Sequence, residues 1–279
     1  MKTAGARYTK RKNIFPGFGI SFGITMAYLG MIVLIPLTMV FMKTASMGFH
    51  DFWQAVAEPR VAASIRLTVL TALAAAIVNA VFGLLIAWVM TRYTFPGKKL
   101  LDGLVDLPFA LPTAVAGIAL TSLYSPNGWI GQFLHVKVAF TPLGIIIALV
   151  FIGLPFIVRT VQPVIENIEK EVEEASAILG AVPRQTFRKV IFPQLLPSLI
   201  TGFSLAFART LGEYGSVVFI AGNIPYKTEI TPLIIMTKLE QYDYSGATAV
   251  ACVMLVISFL LLLVINLFQW RISNRWVRS

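Results

Sequence analysis

Two charged residues, Arg209 and Glu213, lie inside the otherwise apolar stretch Ser198–Ala221. Opposite charges four residues apart can form an ion pair on one face of a helix. A helix that enters the membrane at Ser198 places Arg209 about 16 Å along its axis, near the middle of a bilayer. A charge at that depth is costly unless it is paired or faces water. Two interpretations stay open: an ion pair that fastens helices or a subunit interface, or a charged lining or gate for an anionic cargo.

A second unusual stretch is the polar segment EEASAILGAVPRQTFRKVIFP, Glu173–Pro193, in a chain whose mean hydropathy is +0.79. Its first acids complement a helix N-terminus, and Gly180 can end that helix in a left-handed conformation. Pro183 suits the first position of a second helix, which is expected to stop near Phe192 because Pro193 follows. The segment holds more apolar residues than an exposed loop needs. It therefore predicts a short helix pair whose apolar face is covered by something, either the rest of this protein or a partner.

Long apolar runs on either side of these stretches predict an all-α integral membrane protein. Four runs carry no charged residue and reach the roughly 20 residues that cross a bilayer. They are Phe18–Met42, Leu67–Met90, Val138–Val158 and Tyr244–Trp270. Two less uniform runs, about Leu104–Tyr124 and Ser198–Ala221, bring the prediction to six transmembrane helices. The runs do not alternate apolar and polar residues, which argues against a membrane barrel.

The distribution of basic residues predicts the topology. Sixteen lysines and arginines lie in four regions that alternate with regions holding only six. By the positive-inside rule, both termini and residues 159–197 are cytoplasmic. We call residues 159–197 the cytoplasmic insert. The predicted organisation is a basic tail at 1–17, a transmembrane domain at 18–270 with its core at about 61–270, and a tail at 271–279.

The third span contains the sequence DLPFALPTAVAG, in which Pro108 and Pro112 are four residues apart. Each proline removes a backbone donor, so the span is expected to be kinked or broken. Broken backbone at membrane depth either packs against protein or lines a cavity, and both interpretations stay open here. Pro108, Pro112, Thr113, Arg209 and Glu213 are together the candidate translocation path or gate.

Catalytic chemistry is not indicated by any motif. The sequence has no G-x-x-x-x-G-K-[ST] phosphate loop and no nucleophile–base or metal-ligand constellation. We therefore expect no catalytic residue, no metal and no cofactor. ATP hydrolysis, if it drives this protein, is expected in a separate subunit.

The polar segment resembles the EAA loop of permease subunits of bacterial ABC importers. That pattern runs Glu-Ala-Ala, three residues, Gly, nine residues, and an Ile-x-Leu-Pro ending. The positions that match it or replace a residue conservatively are Glu174, Ala175, Ser176, Gly180, Val190, Phe192 and Pro193. The resemblance implies a type I (MetI-like) permease fold. It also implies that these residues, with Pro183, form the loop that couples the permease to its ATPase.

Asp106–Gly117 and RTLGEYGSVVFIAGNIPYKTEITPL (Arg209–Leu233) resemble sulfate/thiosulfate importer permeases of the T (or U) type. The resemblance implies a multi-pass protein of the bacterial inner membrane that forms the path for an oxyanion. The implied partners are a second, homologous permease in a heterodimer, two ATP-binding subunits, an external sulfate/thiosulfate-binding protein and membrane lipid, without nucleic acid. Molybdate and tungstate permeases share part of the second motif and are the alternative. An ion-coupled secondary anion transporter, which repeated halves would indicate, is the alternative from another class.

Overall fold

The structure is a computed structural model that describes residues 18–276, with side chains through Arg271, and every regular element in that range is helical. The α-helices are α1 (Phe18–Leu29), α2 (Ile35–Ala45), α3 (Phe49–Val56), α4 (Pro59–Arg92), α5 (Lys98–Ala110), α6 (Thr113–Tyr124), α7 (Pro142–Glu166), α8 (Lys170–Ile178), α9 (Pro183–Thr186), α10 (Phe192–Leu211), α11 (Val217–Ile220), α12 (Thr231–Glu240) and α13 (Tyr244–Trp276). The predicted tail at 1–17 lies outside the described residues, as do residues 277–279.

Five helical stretches in the described range are long and apolar enough to cross a membrane. They are Phe18–Ala45, Pro59–Arg92, Pro142–Glu166, Pro183–Leu211 and Tyr244–Arg271. Helices α5 and α6 together make a sixth, bent by 115°. The six predicted spans are therefore confirmed when that bent pair is counted as one. Helix α13 runs on to Trp276, past the predicted end of the last span at Trp270.

The bend of the third span lies at Pro112. Leu111 has an extended backbone (φ −87°, ψ 136°), as the residue before a proline prefers, and α6 begins directly after Pro112. Pro108 does not break the helix: it lies buried inside α5. The expectation that both prolines disrupt this span therefore holds for Pro112 alone.

The fourth span is longer than its apolar run. Helix α7 continues from the predicted end at Val158 to Glu166, so residues 159–166 of the cytoplasmic insert are helix rather than loop. The charge of Arg159 predicts that the span ends just before it. It stays inside the helix because its side chain bonds Asp102 and Asp106 of α5, 2.7 Å from an oxygen of each.

The second helix of the polar segment does not stop near Phe192, which corrects the prediction. A π turn, Phe187–Ile191, joins α9 to α10, and the Phe192 amide donates to the Phe187 carbonyl five residues earlier. Pro193 falls in the first turn of α10, where a missing amide hydrogen is tolerated. The fifth span is therefore part of one helical stretch that starts at Pro183 and continues to Leu211.

The fifth span is also interrupted, where a continuous helix to Ala221 was expected. Helix α10 ends at Leu211, residues 212–216 are non-helical, and α11 resumes at Val217. The Ile220 carbonyl accepts from the Phe140 amide at 2.8 Å, just before α7 begins. The fifth span is thus made of two helices, α10 and α11, and α11 ends beside the start of α7.

Close packing of α4, α7 and α10 forms the centre of the fold. A Cβ on Gly83 of α4 would lie 2.7 Å from Ile157 of α7, and one on Gly202 of α10 would lie 3.1 Å from the same residue's Cα. Small residues allow this approach, as membrane helix pairs require. The first span stays outside this centre, and none of its residues is buried.

The broken spans three and five pack against each other. A Cβ on Gly117 of α6 would lie 2.4 Å from the carbonyl oxygen of Ser216 in the interruption. Ser216 is fully buried, so this contact joins two interior surfaces. The close contact between α6 and the interruption therefore requires glycine at position 117.

We expect Gly117→Ala to lower the melting temperature of the permease in detergent. The new methyl group meets backbone rather than a movable side chain, and such overpacking costs about 1–3 kcal/mol. Gly103→Ala in α5 is the matched control, because nothing lies within 4 Å of its Cβ position. Equal melting temperatures for the two variants would contradict the close contact.

Candidate functional site

The predicted path residues meet where the two broken spans touch. Thr113 begins α6 directly after Pro112, and a Cβ on Gly215 would lie 2.1 Å from the Thr113 hydroxyl oxygen. Gly215 is two residues from Glu213, so the breaks in spans three and five face each other. Pro108 lies on the other arm of the bend, in α5. We call Pro112, Thr113, Arg209, Glu213 and Ser216 the broken-helix site.

The depth of the broken-helix site follows from α7, which runs alongside. Gly153 is eleven residues from the start of α7 at Pro142, or about 16 Å. A Cβ on Gly153 would lie 3.5 Å from Thr210, the neighbour of Arg209. Half of a bilayer core is about 15 Å. The site therefore lies beside the middle of α7, and a depth near the centre of the bilayer stays a prediction for Arg209.

Glu213 is the centre of hydrogen bonding in this site. One oxygen of its carboxylate accepts the Ser216 amide at 3.0 Å and the Ser216 hydroxyl at 3.1 Å. The other accepts from the Arg209 guanidinium. Glu213 is 2% exposed, so its charge needs these partners. The predicted ion pair thus forms, but Glu213 lies beyond the end of α10 rather than on its face.

Arg209 is less enclosed than its partner, with 38% of its side chain exposed. Only its Nη1 donates to Glu213, and its Nε and Nη2 have no acceptor among the described residues. Leu205, Ala208 and Gly212 are exposed beside it. A cation with free donors on an open face at mid-membrane can hold an anion by charge-assisted hydrogen bonds.

The polar segment has the local geometry that its glycine and proline predict. Helix α8 ends with Gly180 in the left-handed region at φ 81°. The Gly180 amide donates to the Ala177 carbonyl at 2.9 Å and the Ala181 amide to the Ser176 carbonyl at 3.0 Å, which is a Schellman C-cap. Pro183 then takes the first position of α9.

The turn between α8 and α9 exposes apolar side chains. Ile178 and Leu179 are each 87% exposed and Val182 is 55% exposed. We call these three residues the exposed tip. Of the residues that the EAA resemblance selects, Glu174, Ala175, Gly180 and Pro183 are exposed, whereas Ser176, Val190 and Pro193 are half-buried. The described chain leaves the tip free for a partner.

Arg92 joins the cytoplasmic insert to the second span, and sequence reasoning missed this role. Its guanidinium lies 2.7 Å from Glu173 of α8 and 5.3 Å from the ring centre of Trp88. The Trp88 ring meets Phe187 of the π turn edge-on at 5.4 Å. In the sequence, Arg92 serves only as one of the basic residues that predict the topology. Its partner Glu173 lies far along the chain, and no local pattern indicates the pair.

Two further ion pairs join elements that are far apart along the chain, and sequence reasoning missed both. Arg159 binds Asp106 with two parallel bonds, at 2.8 and 2.7 Å, and so ties α7 to α5. Arg60 binds Glu229 in the same bidentate way, at 2.7 and 2.5 Å, which fastens the segment before α12 to the start of α4. The four-residue spacing of Asp102 and Asp106 was the one sequence signal for the first pair.

Asn79 of α4 is a buried polar side chain in the same central layer. It is fully buried, and neither its amide nitrogen nor its oxygen has a hydrogen-bond partner among the described residues. A Cβ on Gly153 would lie 2.5 Å from the Asn79 amide nitrogen. No group of three potential metal ligands occurs within the described residues.

Residues 79–278 match the family described as "Binding-protein-dependent transport system inner membrane component". The chain belongs to this family. It is accordingly a multi-pass membrane permease, and the matched region includes the broken-helix site and the cytoplasmic insert.

Curated relatives align along almost the whole permease. It is 50% identical to the sulfate transport system permease protein CysT of Salmonella typhimurium, over 95% of this chain and 97% of that one. The Escherichia coli protein of the same name is 49% identical over the same shares, 95% and 97%. A third, from Synechocystis, is 48% identical over 95% of this chain and 93% of its own.

Solved structures share the fold. A bacterial ABC transporter for the acidic polysaccharide alginate superposes with a TM-score of 0.76 at 15% identity, covering 91% of this permease and 96% of that chain. The methionine ABC transporter in an inward-facing conformation superposes with a TM-score of 0.60 at 17% identity, covering 81% and 99%. These likenesses establish the type I importer permease fold that the sequence predicted.

We expect Arg209→Gln to lower the melting temperature, because leaving a buried carboxylate without its cation costs about 3–5 kcal/mol. The double variant Arg209→Gln, Glu213→Gln removes that charge and should regain most of the stability. Transport by the double variant separates the two interpretations of the pair. Restored uptake indicates a purely structural ion pair, whereas stable but inactive permease indicates that the guanidinium meets the cargo.

Proposed function

We propose that this permease forms the translocation path of an ATP-driven sulfate and thiosulfate importer and couples that path to a separate ATP-binding subunit. The observation that carries the proposal is identity of about one half, along 95% of the chain, to sulfate transport permeases. The alignment with the first of these relatives covers 95% of this chain and 97% of the relative.

The broken-helix site suits an oxyanion path. Sulfate is a tetrahedral dianion with four acceptor oxygens, and Arg209 offers two free donor groups at mid-membrane. Its charge is partly balanced by Glu213, so binding there is weak enough to release the anion again. Pro112 and Thr113 line the opposite side of the contact, and Pro108 supports the adjacent arm. We assign high-affinity recognition to the external binding protein.

The cytoplasmic insert suits docking to an ATPase. The exposed tip provides apolar contact area, and α8 ends at a fixed angle because Gly180 closes it in a Schellman cap. A displacement of α8 by the ATPase is transmitted to the second span through the Arg92–Glu173 ion pair. It is transmitted to the fifth span through the helical stretch that begins at Pro183. The permease sequence lacks a phosphate loop, so hydrolysis belongs to the partner.

The proposed assembly holds this permease, a second homologous permease, two ATP-binding subunits and an external sulfate/thiosulfate-binding protein. The alginate transporter was crystallised in complex with a periplasmic protein carrying an alginate pentasaccharide, which illustrates such an external partner. Arg209 and its exposed neighbours Leu205, Ala208 and Gly212 form the surface on which the second permease would close the other side of the translocation path. The inner membrane is the site of action.

We expect cells lacking this permease to lose uptake of radiolabelled sulfate and to regain it on expression of the intact chain. Unlabelled thiosulfate should compete with sulfate, whereas molybdate at the same concentration should not. Preferred competition by molybdate would move the assignment to the molybdate and tungstate group. Uptake that persists without ATP but depends on an ion gradient would contradict the importer class.

We expect Gly180→Pro in the reconstituted transporter to uncouple ATP hydrolysis from uptake, since proline cannot adopt φ 81°. Gly97→Pro is the matched control: Gly97 also has a positive φ, 85°, but lies outside the cytoplasmic insert. The measurement is sulfate imported per ATP hydrolysed, with membrane insertion checked by immunoblot. Equal ratios for the two variants would contradict a coupling role for the turn at Gly180.

A further inference from the structure

An apolar groove of about 320 Å³ opens between α4 and α5 in the cytoplasmic half of the permease. Its walls come from the last turns of α4, the turn that follows, the inner face of α5, and one residue of α7. The lining residues are Leu85, Ile86, Val89, Met90, Phe95, Leu101, Leu104, Val105 and Leu154. None of them carries a polar side chain, and we call this feature the leaflet groove.

The leaflet groove exists because α5 is fastened on its other face. Asp102 and Asp106 hold α5 to Arg159 of α7, while Leu101, Leu104 and Val105 turn toward α4 without filling the space. Leu101 and Leu104 are 45% and 49% exposed. The ion pairs thus leave an apolar cleft on the flank of the protein.

The leaflet groove has the depth of one lipid leaflet. Leu154 at its inner end is twelve residues from the end of α7 at Glu166, or about 18 Å. Phe95 at its outer end lies in the turn just past the end of α4 at Arg92. Half of a hydrocarbon core is about 15 Å. The groove therefore runs from the cytoplasmic interface to near the bilayer centre.

Two lysines stand at the mouth of the leaflet groove. Lys98 and Lys99 open α5, next to the lining residue Phe95. The Lys98 ammonium donates to the Tyr93 carbonyl at 3.3 Å, which keeps its charge beside the interface, and Lys99 is exposed. Neither lysine forms an ion pair with a described residue, in contrast to Arg92, which binds Glu173.

We propose that the leaflet groove binds an anionic phospholipid, with an acyl chain among the apolar residues and the phosphate at Lys98 and Lys99. The charge at the mouth selects the occupant. A zwitterionic lipid would satisfy the apolar walls but would gain little from two cations, whereas each lysine near an anionic surface strengthens binding by about fivefold. An apolar protein helix would leave both ammonium groups without a counter-charge.

The first experiment uses the intact transporter, in nanodiscs of phosphatidylglycerol and phosphatidylcholine, with a photoactivatable group on one acyl chain of either lipid. We expect phosphatidylglycerol to crosslink to peptides of α4 and α5 that line the leaflet groove, and phosphatidylcholine to do so several-fold less. Equal labelling by both lipids would overturn the proposal. The proposal would also be overturned if a protein crosslinking control joined the leaflet groove to the second permease and neither lipid labelled this region.

The second experiment compares variants by the phosphatidylglycerol that co-purifies with the transporter, measured by mass spectrometry. Lys98→Gln with Lys99→Gln should weaken binding about 30-fold, from about fivefold for each lysine. Lys98→Arg with Lys99→Arg should retain the lipid, and Leu104→Trp should exclude it by filling the groove. Lys10→Gln with Lys12→Gln is the charge-matched control. An equal loss in that control would assign the lipid to general surface charge and overturn the proposal.

Discussion

A membrane permease must satisfy every backbone hydrogen bond without help from water, and this permease interrupts two of its crossings. Glu213 solves the problem for the fifth span, because its carboxylate binds the free amide of Ser216. A buried carboxylate in turn requires a cation, which Arg209 supplies. The interruption of the fifth span, Glu213 and Arg209 therefore depend on one another. Arg209 pairs with Glu213 through one nitrogen, and its side chain stays partly exposed.

The rest of the fold keeps that unit in place. Gly117 lets α6 approach the interruption, and small residues along α4, α7 and α10 allow a close-packed centre that transmits displacement with little loss. Arg159 and Arg92 then attach two further parts to this centre: the bent third span and helix α8. Each attachment is a charge pair at a helix surface rather than an extension of the core.

Local signals predicted local structure well. Gly180 and Pro183 fixed a helix end and a helix start, because a left-handed residue and a ring-locked φ leave few alternatives. Apolar runs predicted all six crossings. The prediction from Pro193 was wrong because a π turn joins α9 to α10 and Pro193 lies in the first turn of α10, where a missing amide hydrogen is tolerated. The prediction from Pro108 was wrong too, since the helix tolerates that proline.

Tertiary contacts lay beyond the reach of the sequence. The charge of Arg159 predicts the end of a span, whereas the aspartates that bind it inside the helix are more than fifty positions away. The pairing of Arg92 with Glu173 and of Arg60 with Glu229 has the same origin. Of the site, the Arg209–Glu213 pair was predicted from its spacing, whereas Ser216 and the contact with Thr113 depend on how two spans cross.

The first span contributes no residue to the buried interior, and the family match begins only at residue 79. The five remaining crossings form an odd number, which by itself would leave the two ends of the core on opposite sides of the membrane. Adding one outlying helix restores even parity. The first span thus places the two ends of the described helices on the same side of the membrane.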